Sequence, residues 1–101
     1  PFAALNCSSS VGDDPAAVEH NRALAARVLD CADVVTPRQV HGDRVATLAT
    51  EPPGEADALI SLGDVRAVGV LTADCVPLLL VVPRRRVAAA VHAGWKGTAL
   101  G

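Results

Sequence analysis

Hydrophobic and polar positions in the first third of the chain recur with the period of a helix. Asp14 and Pro15 have the sequence of a helix start, with aspartate as the N-cap and proline at the first helical position. Val18 and Ala25 share one face of the following segment, whereas charged residues occupy the other faces. The pattern predicts an amphipathic helix over residues 15–30.

Beyond this helix the pattern changes to short segments that are typical of strands. The predicted strands are residues 33–40, 44–49, 57–61, 66–72, 77–82 and 86–92, with a proline- and glycine-containing loop at 51–54. Segments 67–71, 78–82 and 87–91 are apolar without alternation, which is typical of strands that are covered on both faces. We therefore expect these three strands to form the centre of a sheet.

Two short connections complete the predicted fold. Residues 84–86 are three arginines between two apolar strands, and they predict a solvated hairpin turn. Gly94 and Gly97 flank Trp95 and Lys96 and permit a tight turn into a second helix, which we expect to start near Thr98. The whole pattern predicts an α+β fold, in which a mixed β-sheet with apolar central strands is covered by helices.

Composition and charge exclude several classes of protein. The net charge is −2 and only 2% of the residues are aromatic, which does not suit a nucleic-acid groove with its clustered cations and stacking rings. The longest apolar run, 76–82, is far shorter than the roughly 20 residues of a membrane span. An odd number of cysteines leaves one thiol unpaired, so we expect a reducing, cytoplasmic location.

Three side chains with metal-binding chemistry lie where predicted strands meet turns. They are His41, Cys75 and His92, and a set of one thiolate and two imidazoles suits Zn²⁺ while leaving a fourth position for water or substrate. If the last strands pair as a meander, Cys75 and His92 lie at one edge of the sheet. The alternative is that these residues are structural. Cys75 is then a small buried hydrophobic residue, and the two histidines are polar residues with hydrogen-bond partners at strand ends.

Polar residues near these three have several possible roles. Asp74 could act as a general base, hold a ligating imidazole, or cap its turn. Lys96, at the start of the second predicted helix, could bind phosphate, although ordinary turn chemistry explains the flanking glycines equally well. Asp57 stands at the start of a strand, where a structural turn bond is the competing explanation.

Four motifs, in order, resemble the YfiH/DUF152 family, whose members are also known as laccase-domain, polyphenol oxidase or multifunctional purine nucleoside phosphorylase proteins. The motifs are RQVHG at 38–42, DALI at 57–60, LTADCVPLLL at 71–80 and HAGWKG at 92–97. The resemblance covers nearly the whole chain and implies a YfiH-like fold.

The resemblance also implies a set of site residues. His41, Cys75 and His92 match the positions that bind the metal in similar proteins, and Asp74 matches a position within the active site. This chain departs from the family at Ser10, where a histidine is frequent. It departs again at Lys96, where an arginine is common, which keeps the charge and loses the planar fork.

The implied activity is that of a zinc-dependent enzyme acting on purine nucleosides, with a small-molecule nucleoside and phosphate as its partners. Similar proteins phosphorolyse adenosine, inosine, guanosine or methylthioadenosine and deaminate adenosine. Zinc would lower the pKa of water toward about 7 and supply a hydroxide for attack at the purine C6. The candidate catalytic residues are Asp74, Cys75 and Lys96.

Other classes of function stay open at this point. Thiolate and imidazole also suit copper, so a laccase-like polyphenol oxidase is one alternative. A cysteine hydrolase with Cys75 as nucleophile is another. A non-enzymatic alternative is a metal-stabilised interaction module, linked to the role of a peptidoglycan editing factor. Because proteins of the family are more than twice as long, we expect residues 1–101 to be the N-terminal part of a single YfiH-like catalytic domain, with its C-terminal part absent.

Overall fold

The computed structural model describes residues 4–48, 52–63 and 66–101. The described elements are α1 (Pro15–Val28), β1 (Val34–Val35), β2 (Val45–Thr47), β3 (Ala58–Leu62), β4 (Ala67–Val68), β5 (Val76–Val82), a 3₁₀ turn (Pro83–Arg85), β6 (Val87–Ala93) and α2 (Trp95–Leu100). The α+β class predicted from the sequence is confirmed. Residue 49 of the predicted strand 44–49 and residue 51 of the predicted loop 51–54 lie outside the described residues.

Helix α1 begins where its sequence predicts. The Asp14 side chain accepts a hydrogen bond from the Ala16 N–H at 3.0 Å, and proline occupies the first turn. The helix ends at Val28 rather than at residue 30, because Asp30 adopts a left-handed backbone with φ of 52°. The helix therefore presents one short buried face, at Val18 and Ala26.

The strands form two sheets. A four-stranded sheet has the order β2-β3-β6-β5, and a two-stranded sheet pairs β1 with β4. Within the larger sheet β2 and β3 are parallel, whereas β3 and β5 both run antiparallel to β6. The prediction of a mixed sheet is confirmed.

The prediction that three apolar strands form the centre of one sheet is wrong for two of them. The centre consists of β3 and β6, whereas β5 is an edge strand in which every residue is exposed. The predicted strand 66–72 is reduced to β4, which belongs to the smaller sheet. An unbroken apolar run favours burial on both faces, but it does not identify the surface that supplies the cover.

The predicted strand 33–40 is also shorter than expected. Only β1 and an isolated bridge between Arg38 and Glu55 are regular. Pro37 lies between them, and proline has no backbone N–H to donate to a ladder.

The two connections predicted around β6 are present, one of them shifted. The turn at Pro83–Arg85 is followed by Arg86 with φ of 53°, and all three arginines are exposed, as predicted. Helix α2 begins at Trp95 and not near Thr98, because Gly94 is the extended N-cap. The Thr98 hydroxyl donates to the Gly94 carbonyl at 2.9 Å, so threonine bonds back within the helix.

The core lies between the two sheets. Its buried cluster consists of Ala46, Leu48, Ala56 and Leu59, with Val35 and Val68 of the smaller sheet packed against it. This packing fixes β3, and through β3 it fixes the adjacent strand β6, at whose end His92 lies. None of the described helices is both long enough and apolar enough to cross a membrane.

Candidate metal site

Side chains from three separate loops and strands converge at one point. The donor atoms of His41, Cys75 and His92 all lie within 4.8 Å of one another. The two imidazole rings meet edge to face, with their centroids 4.8 Å apart and an interplanar angle of 83°. His92 is buried, Cys75 is half-buried and His41 is exposed, so the cluster opens toward solvent on the His41 side.

The register of the last hairpin explains how Cys75 and His92 come together. Pro77 is opposite His92 and Val76 is opposite Ala93. Cys75, which immediately precedes β5, therefore lies beside the end of β6. The predicted placement of these two residues at one edge of the sheet is confirmed by this register.

Gln39 ties the loop that carries His41 to the segment that leads to Cys75. Its side-chain amide donates to the Leu71 carbonyl at 2.7 Å and accepts from the Leu71 N–H at 2.7 Å. The Gln39 side chain thus pairs with the backbone of Leu71 as a neighbouring strand would, and it links the two loops. Two well-formed hydrogen bonds fix the separation of the two segments.

Asp57 lies beneath the cluster and is 3% exposed. Its Oδ1 accepts from the His41 N–H at 2.9 Å and faces the His92 Nδ1 at 2.8 Å. Its Oδ2 accepts from the N–H groups of Val40 and Gly42 at 3.2 and 2.8 Å. Burial raises the pKa of Asp57, but the hydrogen bonds from His92 and the three N–H groups outweigh it, so the net pKa lies below the ordinary value.

His41 has an unusual backbone conformation. Its φ is 59°, in the left-handed region that non-glycine residues rarely adopt. Such a conformation costs about 1–2 kcal/mol and persists only where surrounding contacts hold it. The three N–H bonds to Asp57 supply those contacts.

Two glycines let α2 approach the cluster. A Cβ on Gly94 would lie 3.4 Å from the Cys75 Sγ and 3.4 Å from the His41 Cδ2. Glycine at this position leaves the space beside these two side chains unfilled. A Cβ on Gly97 would overlap the Gly42 carbonyl oxygen. The backbone of α2 therefore packs directly on the loop that carries His41.

We expect Gly97→Ala to destabilise the protein, although alanine favours a helix over glycine by about 1 kcal/mol. Relieving the overlap with Gly42 requires α2 and the loop to separate, and overpacking of this kind costs about 1–3 kcal/mol. Thermal unfolding measures the effect. Leu100→Ala, at a 67% exposed position of the same helix, is the control, and an equal or higher melting temperature for Gly97→Ala would contradict the packing.

The cluster forms part of the wall of a cleft of about 720 Å³, a volume in the range of small-molecule sites. Asp74 is exposed in this lining, close to Cys75. The other polar side chains of the lining are Asn6, Ser8, Ser9, Ser10, Arg22, Thr36, Arg38, Gln39 and Thr72. The cleft thus combines the donor cluster with hydroxyl, amide and guanidinium groups.

Lys96 stands apart from this lining. It lies in the first turn of α2, and its Nζ is 5.7 Å from the centre of the Trp95 ring, within the range of a cation–π contact. The guanidinium groups of the cleft belong instead to Arg22 and Arg38. Arg22 donates to the Cys7 carbonyl and the Thr36 hydroxyl, and Arg38 pairs with Glu55.

The donor set fits zinc. Within the described part of the chain, this is the one group of three or more histidine, cysteine or acidic side chains that could hold an ion. Zinc bonds to imidazole nitrogen and thiolate sulfur are about 2.0–2.3 Å long, and the three donor atoms lie within 4.8 Å of one another. Three protein ligands and an opening toward solvent are typical of a catalytic site.

Comparison with known proteins agrees with the motifs. The family model described as "Multi-copper polyphenol oxidoreductase laccase" matches residues 1–101. A relative named "Purine nucleoside phosphorylase SCO2081", from Streptomyces coelicolor, is 47% identical over 107 residues, which is 100% of this chain and 44% of the relative. The chain thus spans less than half the length of this curated relative.

Two solved structures have a fold that closely matches this chain. YlmD from Geobacillus stearothermophilus has a TM-score of 0.88 and 31% identity, over 99% of this chain and 42% of that protein. The hypothetical protein YfiH from Bacillus licheniformis has a TM-score of 0.89 and 31% identity, with the same coverage. The resemblance to YfiH proteins, and the YfiH-like fold, are confirmed.

Proposed function

Because the chain belongs to the family described as multi-copper polyphenol oxidoreductase laccase, with relatives named purine nucleoside phosphorylase, we propose that it carries the metal site of a zinc-dependent purine nucleoside phosphorylase. Adenosine, inosine, guanosine and methylthioadenosine are the proposed nucleosides, and adenosine deamination is a second proposed activity. Residues 1–101 are then the N-terminal part of a single catalytic domain.

The observation that carries this proposal is the convergence of His41, Cys75 and His92 in the wall of a cleft. Neutral imidazole and thiolate are borderline and soft donors, which zinc accepts in tetrahedral sites. When bound there, zinc would supply Lewis-acid chemistry at the open side of the cluster. A cleft of this size suits a nucleoside.

We propose a separate role for each of the other candidate residues. Asp57 holds His92, so holding this imidazole does not require Asp74. We propose the exposed carboxylate of Asp74 as a general base, which takes the proton from attacking water during deamination. In phosphorolysis, phosphate replaces the base at the ribose C1′, and Lys96 is proposed to hold the phosphate by its charge.

The test combines metal analysis with an assay. The whole protein, purified without added metal, should contain about one zinc per chain, as expected for a three-ligand site. With adenosine and phosphate it should release adenine and ribose 1-phosphate, and with adenosine alone it should release inosine and ammonia. A protein with bound zinc and neither activity would contradict the proposed substrate class, and a protein without metal would contradict the site.

We expect Lys96→Ala to raise the apparent KM for phosphate about tenfold and to change deamination less, because a charge-assisted hydrogen bond is worth about 1.5–3 kcal/mol. Steady-state kinetics of both reactions measure the difference. Lys96→Arg, which restores the residue common in the family and keeps the charge, is the matched control. Equal losses in both reactions would assign Lys96 to folding instead.

Copper is the alternative metal, and the description of the family favours it. Thiolate and imidazole bind copper as well as zinc. A multicopper oxidase needs more donors than three, whereas the described residues converge in one such group. Elemental analysis that found copper, together with oxidation of a phenol by the same preparation, would favour this alternative.

A cysteine hydrolase and a non-enzymatic peptidoglycan editing factor are the remaining alternatives. The Cys75 sulfur lies within 4.8 Å of imidazole nitrogens of both histidines, and activation of a thiol nucleophile requires such a base to come within hydrogen-bond reach. A metal-bound thiolate forms no bond to substrate, so the two functions predict different products on Cys75. A covalent adduct on Cys75, found by mass spectrometry of quenched turnovers, would favour the hydrolase.

Location and partners complete the proposal. The three cysteines are free thiols, and a thiolate ligand needs reducing conditions, so we propose a cytoplasmic protein. Its proposed partners are a nucleoside and phosphate. The expectation that it binds no nucleic acid rests on charge and composition and stays a prediction.

A further inference from the structure

We propose that Asp57 is a positioning residue for the metal, because one buried carboxylate fixes both the tautomer of His92 and the backbone that carries His41. This inference rests on the proposed function for its metal, but the geometry that supports it belongs to the chain alone. Asp57 precedes β3, and none of its carboxylate contacts is local in sequence.

Four nitrogens surround the two oxygens of Asp57. Oδ1 faces the His41 N–H at 2.9 Å and the His92 Nδ1 at 2.8 Å, and Oδ2 faces the N–H groups of Val40 and Gly42. The three backbone groups can only donate, and an ionised carboxylate can only accept. The fourth neighbour must therefore donate too, which places the His92 proton on Nδ1.

This tautomer determines which ring nitrogen of His92 has the lone pair that can bind a metal ion. A neutral imidazole with its proton on Nδ1 has the lone pair on Nε2. Metal-ligating histidines are commonly held in this way, with the second ring nitrogen donating to a carboxylate. Asp57 thus leaves Nε2 of His92 free to bind an ion.

The backbone of Asp57 holds the same partner. The His92 N–H donates to the Asp57 carbonyl at 2.7 Å, which continues the pairing of β3 with β6 beyond Ala58 and Val91. Asp57 and His92 are 3% and 5% exposed, so solvent has little access to replace these bonds. The ring has one fixed orientation relative to the sheet.

Both oxygens of the Asp57 carboxylate also hold the turn that carries His41. The N–H groups of residues 40–42 converge on the carboxylate, and this turn includes the left-handed backbone of His41, with φ of 59°. A residue in that conformation relaxes when its surroundings stop holding it. Without the carboxylate, the His41 ring would lose its place opposite His92.

The experiment compares Asp57→Asn with Asp43→Asn in the whole protein. Asparagine keeps the shape of the side chain but replaces one acceptor oxygen with an NH₂ group. Because both oxygens of Asp57 accept from N–H groups, this NH₂ group faces other donors whichever oxygen it replaces. Asp43 is an exposed aspartate immediately after Gly42, so its variant makes the same chemical change outside the contact. Zinc dissociation constants come from competition with a chromogenic chelator.

Imidazole ¹⁵N NMR of the metal-free protein, at about pH 8 where histidine is ordinarily neutral, supplies a readout that does not depend on zinc. We expect the His92 proton on Nδ1 in the wild type and in Asp43→Asn, and its loss from Nδ1 in Asp57→Asn. We expect the zinc dissociation constant to rise about 10- to 100-fold in Asp57→Asn and to stay unchanged in Asp43→Asn.

Each possible result decides the inference. A wild-type His92 with its proton on Nε2 overturns it, even if Asp57→Asn fails to fold. A folded Asp57→Asn with wild-type zinc affinity also overturns it. A wild type that binds no zinc overturns the proposed function, and the NMR result then decides alone whether Asp57 positions His92.

Discussion

Replacing Cys75 with alanine should leave the whole protein folded and abolish the tight zinc binding that we propose for it. Cys75 is half-buried at the start of an edge strand, so losing its sulfur removes little packing. Structural zinc sites bind with about 10–16 kcal/mol in total, so one ligand contributes roughly 3 kcal/mol. A loss of this size raises the zinc dissociation constant about a hundredfold.

Elemental analysis and chelator competition measure this effect. Cys31→Ala is the matched control, because Cys31 is also a half-buried free thiol, and its sulfur contacts only backbone carbonyls among its described hydrogen bonds. His41→Ala and His92→Ala should lose the metal as well. Stoichiometric metal in the Cys75→Ala protein would show that the three side chains do not form the site.

The proximity of Cys75 and His92 could be predicted from the sequence because it follows from strand order. Cys75 and His92 stand at the facing ends of two strands that pair as a hairpin, and hairpin register brings such positions together. His41 has no such local relation to them. Its residue type and its place at a predicted strand end make it a candidate ligand, the resemblance supports that assignment, and in the structure Gln39 and Asp57 bring it to the site by tertiary contacts.

The role of Asp57 could not be derived from the sequence for the same reason. Its carboxylate bonds to a turn that precedes it by about 15 residues and to a histidine 35 residues beyond it. An aspartate before a strand is ordinarily a local turn residue. The only signal in the sequence is that Asp57 begins one of the four motifs.

The strand β5 shows a different limit of sequence reasoning. Its composition predicts a strand that is covered on both faces, and the strand is present, but the described chain leaves it exposed at the sheet edge. Leu79 is 75% exposed and Val81 is 65% exposed. A hydrophobic pattern indicates that a surface is buried in the native protein. The residues that bury it can be distant in the chain or belong to another chain.

The 101 residues expressed alone should therefore self-associate, bind a hydrophobic dye and lack nucleoside turnover. We propose that further residues of the same catalytic domain cover β5 in the whole protein, since the chain spans 44% of its Streptomyces relative. Burying a large apolar side chain contributes about 1.5–3 kcal/mol. Leaving a strand with six exposed large apolar residues uncovered is thus comparable with the 5–15 kcal/mol of net stability of a typical domain.

Leu79→Lys separates this explanation from general instability. In the isolated chain the lysine interrupts an exposed edge strand and should reduce self-association, because charged side chains hinder edge pairing. In the whole protein the same lysine would enter an apolar contact and should lower the free energy of unfolding by about 2 kcal/mol or more. Val28→Lys, at an 86% exposed position of α1, controls for the added charge.

Sedimentation velocity and thermal unfolding of both lengths of protein measure these opposite effects. If Leu79→Lys left the stability of the whole protein unchanged, β5 would be a solvent-exposed strand there too, and its apolar sequence would need another cause. If the unmodified 101 residues were a soluble monomer with a cooperative melt, bound zinc and nucleoside turnover, the chain would be sufficient by itself. Either result would contradict the proposal that β5 is an internal surface of a larger catalytic domain.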